Sequence, residues 1–262
     1  MSRLRHAARI AVDNSRRLVG EVFPQQPRKL ASDAAAYWAD PAGRRFAGNS
    51  HWRSAPQFAH GDLWQRMGHE HLDLYRRLSA ASASEPAAVR HVVDWGCGGG
   101  ANATAFAAIA GHMTGVDVSA ASLAECSRQM VAEVPGTEFT PVLADLETPE
   151  KAAAQICLCE LFLCLYVLEL VPDQAYGLRL MRIARDLLAP GGQAFIQVKY
   201  SDGSWRARTR KRGYRSDIAG TTYRIGGFWT AMTDTGFRPE AVTLVPRNEL
   251  DERYAYFLLT RP

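Results

Sequence analysis

The sequence lacks an apolar run long enough to cross a membrane. Its longest, ICLCELFLCLYVLELV, is 16 residues and carries two glutamates, short of the ~20 apolar residues a spanning helix needs. No secretory leader is expected either: MSRLRHAARIAVDNSRRLVGEVF has basic residues but no continuous apolar core leading to a small-residue cleavage site. The five cysteines, at 97, 126, 157, 159 and 164, form no repeated CxxC spacing, which argues against a disulfide framework and against a zinc cluster. No metal site is expected, and the thiols read as reduced and mostly buried, in a cytoplasmic protein. Charge of one sign is scarce: 31 Lys and Arg against 27 Asp and Glu leave +4, which permits an anionic partner without requiring one. There is no internal repeat and no recognisable RNA-binding module.

What is present is enough chain for a full core, 262 residues of which 47% are apolar. The first 23 residues carry apolar positions at helical intervals, with Pro24 and Pro27 ending that helix; its apolar face could pair two subunits or cover the core of its own chain. Short helices joined by Gly and Pro turns follow, the last over about 61–78. The Ala/Ser stretch SAASASEPAA then divides a helical N-terminal cap, residues 1–84, from a second unit, residues 85–262.

Beyond it, short apolar runs alternate with helical stretches, the pattern of βα units in a mostly parallel sheet. Strands are predicted near 91–95, 113–117, 139–143, 155–163, 192–199, 239–245 and 253–260. Helices are predicted near 102–110, 119–134, 174–188 and 227–235, with LLAPGG closing the third of these at Pro190. The expected fold is α/β: a Rossmann-like, doubly wound, seven-stranded and mostly parallel sheet with an antiparallel C-terminal strand, plus the helical cap.

The stretch VVDWGCGGGAN places Asp94 at the end of the first strand and Gly96, Gly98 and Gly100 in the turn to the next helix. Glycines at alternate positions allow positive φ and the close approach of a ligand; the alternative is a plain strand-to-helix turn. The next strand ends at Asp117, where an acid can accept from both hydroxyls of a ribose, and Asp145 follows the third strand. Three carboxylates thus face the crevice where open sheets bind ligands. For Asp145 the competing role is a helix cap.

These segments resemble the class I S-adenosylmethionine-dependent methyltransferases. VVDWGCGGGAN is similar to their first-strand signature, GVDVSAASLAECSRQM to the second-strand acid and its helix, PVLADLE to the adenine-contacting segment, and LLAPGGQAFIQV to the turn before the fifth strand. The resemblance covers about 89–200. It implies S-adenosylmethionine as cofactor, with Asp94, Gly96, Gly98 and Gly100 beneath the methionine moiety. Asp117 would take the ribose, Asp145 the adenine amino group, and Val118 and Leu146 would flank the ring. One departure is Gln155, where the family often has an acid opening the fourth strand; Glu160 lies either at the edge of the site or against a core partner.

The acceptor side is less sharply written. NSHWRSAPQF concentrates His51, Trp52 and Arg53; His51 is the candidate general base, with packing as the alternative, while His60, His69 and His71 are weaker candidates. Tyr37, Trp52, Arg53, Tyr200 and Tyr223 are the candidate acceptor contacts, and the basic run 206–215 could receive a carboxylate, a phosphate or nucleic acid. The leading expectation is methyl transfer to an oxygen, nitrogen or carbon of a small molecule, anionic or aromatic. RNA or protein methylation and a non-catalytic cofactor-binding protein are the alternatives.

Overall fold

A computed structural model describes residues 15, 18–43, 45–82, 88–209, 211–214, 218, 220–250 and 252–262. Of the first helix, residues 18–22 are described and helical; their side chains Leu18, Val19 and Val22, with Phe23, are exposed. The cap continues with α1 (Pro27–Trp38), α2 (Phe46–Asn49) and α3 (Leu63–Ala81). Pro27 sits in the first turn of α1, where its missing N–H costs nothing.

The second unit runs β1 (His91–Trp95), α4 (Ala101–Phe106), β2 (His112–Asp117), α5 (Ala120–Glu133), β3 (Glu138–Leu143), α6 (Pro149–Ala153), β4 (Cys159–Cys164), α7 (Gln174–Leu187), β5 (Leu188–Lys199), α8 (Ile225–Asp234), β6 (Arg238–Arg247) and β7 (Glu252–Thr260). The strands form one seven-stranded sheet in the order β3-β2-β1-β4-β5-β7-β6. All described pairs are parallel except those of β7, which runs antiparallel to both β5 and β6. The expected architecture is therefore present.

Three element boundaries differ from expectation. β4 starts at Cys159 rather than 155, because Lys151–Ala153 complete α6 and Gln155 and Ile156 close a turn on it. α7 ends at Leu187, not Pro190. Leu188 already pairs with Cys159, and the register then slips before Leu161 meets Gln193, so Pro190 and Gly191 (φ 77°) occupy a bulge inside β5. The helix expected over 102–110 is α-helical only to Phe106 and closes with a 3₁₀ turn, Ala107–Ile109.

The sheet buries a core on each face. One side packs α7 and α8 against β1, β4, β5 and β7. The other packs α4 and α5, together with α3 of the cap, through Trp64, Met67, Leu72 and Tyr75. A smaller cluster of Leu30, Ala34, Trp38 and Phe46 with Tyr214 and Ile218 joins α1 to the loop after β5. Cap and sheet thus share apolar cores on two fronts.

Where α3 crosses α4 the approach is set by Gly68: a Cβ there would lie 2.1 Å from the carbonyl oxygen of Ala101. Ala would ordinarily gain about 1 kcal/mol over Gly inside a helix, but here the backbone clash dominates. Gly68→Ala should lower the unfolding free energy by about 1–3 kcal/mol in urea titration. Gly136→Ala, with no atom within 4 Å of its Cβ position, should leave it nearly unchanged.

Candidate active site

The carboxyl ends of β1 to β4 open onto one cavity, lined by Trp95, Asp117, Ala144 and Leu165 at or just beyond those strand ends. Its floor is the loop after β1. Gly96 (φ 82°) and Gly98 (φ 51°) both require the left-handed backbone. The N–H groups of Gly96 and Cys97 donate to the Val116 carbonyl at 2.7 and 3.0 Å, which turns the loop back over β2. Gly98 N donates to Asp117 Oδ2 at 3.0 Å and Ser119 N to Oδ1 at 2.9 Å. Each oxygen of Asp117 keeps further acceptor capacity, which faces the cavity.

Asp94 is fully buried behind this loop, and its Oδ2 has no partner. Burial, reinforced by the Asp117 charge, pushes its carboxyl up to about 7, and burial raises Asp117 to about 6. Among the described residues, no lysine or arginine lines the cavity. Two neighbouring carboxylates without a facing cation form a site whose electrostatics call for a positively charged ligand.

Val118, Ala144, Leu146 and Pro149 give the cavity its apolar end after β2 and β3. Trp38, of the α1 cluster, also lines it; its indole N–H donates to the Tyr214 hydroxyl at 2.9 Å, and that hydroxyl donates to the Leu170 carbonyl. Asp145 stands at the rim, exposed and outside the lining, with Oδ1 accepting from Glu147 N at 2.6 Å. Gly100 (φ 91°) does not line the cavity; it begins α4 against Cys126, whose Sγ would be 3.0 Å from a Cβ there.

The opposite wall is the segment Asn49–His51 with Met67, Asn102 and Tyr166. His51 has a left-handed backbone, φ 52°. Its turn is held by Trp64 Nε1 donating to His51 O at 2.9 Å and by Gly99 N donating to Ser50 O at 2.7 Å. The imidazole packs edge-on against Phe58 and Tyr166, and burial, aided by nearby His71, lowers its pKa to about 4.

The other candidate acceptor contacts lie elsewhere. Trp52 packs on Phe46 and points its indole N–H at Ser122 Oγ, 3.4 Å away. Arg53 pairs with Glu133 of α5 and lies over the Trp64 ring. Tyr37 accepts from Asn49 Nδ2, one shell behind the cavity. Tyr223 is buried against Phe228 in the sheet core, and Tyr200 packs at the edge of that core, bridged to Tyr223. Of the basic run, Lys211 pairs with Glu21 at 2.9 Å and Arg212 donates to the Phe23 carbonyl, while Arg208 lies over the Trp205 ring. Arg210, Arg215 and the Arg206 side chain lie outside the described residues. Glu160 binds the amides of Arg90 and His91 at the far end of β1.

His71, a weak candidate from sequence, is buried in a polar chain. Its Nδ1 is 2.8 Å from Asn102 Oδ1 and its Nε2 3.1 Å from the Tyr256 hydroxyl. His69 and His60 are exposed.

A family described as a methyltransferase domain matches residues 63–242. Among curated proteins, the ubiquinone biosynthesis O-methyltransferase of Pseudomonas aeruginosa UCBPP-PA14 is 31% identical over 109 residues, 42% of this chain and 44% of that protein. That of Albidiferax ferrireducens is 30% identical over 114 residues, 43% of this chain and 42% of its own length. The match to these relatives therefore spans less than half of their length. Among solved structures, magnesium protoporphyrin IX methyltransferase of Synechocystis PCC 6803, with bound S-adenosylmethionine, superposes with TM-score 0.60 at 16% identity, covering 88% of this chain and 97% of that one. The N-methyltransferase NodS of Bradyrhizobium japonicum superposes with TM-score 0.52 at 18% identity, covering 80% and 91%.

The buried histidines make stability pH-dependent. His71, like His51, is held near 4 by burial against 6.5 for a free imidazole. Its contribution is complete above pH 6.5 and is lost as pH falls toward 4, because the unfolded chain takes up the proton first. Asp94 and Asp117, raised on folding, act with the opposite sign, so the effect is read as a difference between proteins. Urea titration at pH 7.5 and 4.5 should show wild type losing about 3 kcal/mol more than His71→Gln across that interval.

Proposed function

The chain belongs to the methyltransferase-domain family, and we propose that it transfers the methyl group of S-adenosylmethionine to a hydroxyl of an uncharged small molecule. The observation that carries this reading is the buried pair of Asp94 and Asp117 around the glycine loop, with an orphaned carboxylate oxygen and no cation among the described residues of the lining. A ligand bearing a sulfonium, an ammonium and a ribose answers each of those features. Asp117 would accept from the ribose hydroxyls while keeping its bonds to Gly98 and Ser119. Asp94, with Gly96 and Gly98, would underlie the methionine portion. Val118 and Leu146 would flank the adenine, with Asp145 Oδ2 left for its amino group.

The bound cofactor supplies a sulfonium methyl carbon that an acceptor oxygen displaces in line. The chain's task is to orient that oxygen and exclude water, worth on the order of 7–11 kcal/mol in ideal intramolecular cases. His51 is neutral at pH 7, in the state that accepts a proton. A base this weak is better matched to a phenol, of pKa about 10, than to an alkyl alcohol. The proton it takes passes to solvent through the open cavity.

An uncharged acceptor is favoured because, among the described residues, neither lysine nor arginine lines the cavity, and Lys211 and Arg212 are bound to the N-terminal segment. Oxygen is favoured over nitrogen by the relatives, whose names specify O-methylation in ubiquinone biosynthesis.

Calorimetry should give micromolar binding of S-adenosylmethionine, weakened at least about 30-fold in Asp117→Ala. Because a cationic ligand demands ionised Asp94, binding should release protons. Affinity should therefore rise between pH 5.5 and 8, by up to about tenfold per unit below pH 7. A panel of neutral phenols, assayed for transfer of a labelled methyl, identifies the acceptor class. Absence of cofactor binding by folded protein contradicts the reading, and turnover on RNA that collapses with added salt would replace it.

A further inference from the structure

Among the described non-glycine residues only three have positive φ: His51 (52°), Tyr166 (58°) and Arg253 (66°). Two of the three meet in the cavity, their rings edge to face with centroids 4.9 Å apart. Such backbone costs roughly 1–3 kcal/mol at a bulky residue and persists only where surroundings over-determine it.

Tyr166 is held from both ends. It follows β4, whose last pairing with β5 is Cys164 with Ile196. Its amide, beyond the ladder, donates instead to the side chain of Gln197 at 2.7 Å. Gln197 is fully buried, and its Nε2 has no partner; an unsatisfied buried amide is a cost, retained here alongside the one bond its oxygen accepts. At the other end, the phenol oxygen accepts from Asn248 Nδ2 at 2.9 Å and is hydrogen-bonded to Tyr256. Tyr256 continues to His71 and Asn102. With the phenol committed to this network, the Tyr166 ring forms the surface against which His51 lies.

We propose that Tyr166 is a positioning residue: anchored by Gln197 at its amide and by Asn248 and Tyr256 at its phenol, it holds the His51 ring toward the acceptor. The inference rests on the methyltransferase reading for what His51 does, but not for the coupling between the two rings. The phenol itself donates nothing to the acceptor; its role is to fix the ring. The groups around His51 are His71 from α3, Tyr166 after β4 and Asp117 across the cavity, with Asp94 behind the loop.

The test follows the His51 ring by NMR titration, its signal assigned by loss in His51→Gln, in full-length protein. In Tyr166→Phe the ring remains, and the His51 midpoint should stay within about 0.3 unit of wild type. In Tyr166→Ala water reaches the imidazole, and the midpoint should rise by about one unit or more toward 6.5. Gln197→Met, which frees the Tyr166 amide without emptying the wall, should move it the same way by less, and serves if the alanine variant fails to fold. With an accepted phenol, kcat should fall about 100-fold in Tyr166→Ala and about 5- to 10-fold in Tyr166→Phe. Cofactor affinity should stay within about threefold in both. An unmoved His51 midpoint in both Tyr166→Ala and Gln197→Met, or a kcat loss matched by an equal loss of cofactor affinity, overturns the positioning role. Absence of cofactor binding or methyl transfer in wild type would instead contradict the methyltransferase reading, leaving the titration to judge the ring coupling.

Discussion

The site depends on a contact between two backbones. A Cβ on Gly98 would lie 2.4 Å from the carbonyl oxygen of Ser50, and one on Gly99 would lie 2.4 Å from that of His51. The glycine loop can therefore touch a ligand on one side only because it is touched by the cap on the other, with Gly99 N bonded to Ser50 O. That approach places His51 beside the floor of the cavity. It also sets the line along which α3 packs on α4, with Gly68 in van der Waals reach of Ala101. The floor of the cavity and the wall opposite it are one construction.

Electrostatics divides this construction into two halves. The floor is acidic, with Asp117 in the lining and Asp94 behind it, both raised by burial, and no cation among the described lining residues. The wall is neutral, with His51 and His71 kept uncharged by burial and Tyr166 pushed up to about 12. In the proposed function a cation is held at one end and a neutral aromatic group at the other, and the methyl group crosses the boundary between them. The two halves share a single fold element, the β1 loop, so displacement of one is felt by the other.

Much of this was legible in the sequence where the signal was local. Alternating strand and helix periodicity located the strands to within a few residues, except at β4 and β5. There Pro190 reads as the end of a helix, but pairing of Leu188 with Cys159 places it in a bulge, an interaction no short window contains. Asp94, Asp117 and the glycines were readable because a strand end, a tight turn and an acid recur at fixed spacing. Their second role, the clearance for Ser50 and His51, was not, because the cap lies more than 40 residues upstream. Trp52 and Arg53 looked equivalent to His51 in sequence, yet the turn sends them to Ser122 and Glu133. His71 stood only as a weak candidate, and Tyr166 was missed, for the same physical reason. Their partners Tyr256, 185 residues from His71, and Asn248, 82 from Tyr166, meet them only once β6 and β7 have closed the sheet.

Seating of the cap on the glycine loop is tested most directly by hydrogen exchange of Gly99→Ala, without knowledge of the acceptor. Gly99 has no positive-φ requirement, so the substitution acts through its clash with the cap backbone, 2.4 Å from the His51 carbonyl oxygen and 2.8 Å from the Trp52 Cα. Exchange should be faster across residues 46–58, with β1 and β2 as protected as in wild type. Unchanged exchange over 46–58 in a folded variant would contradict it.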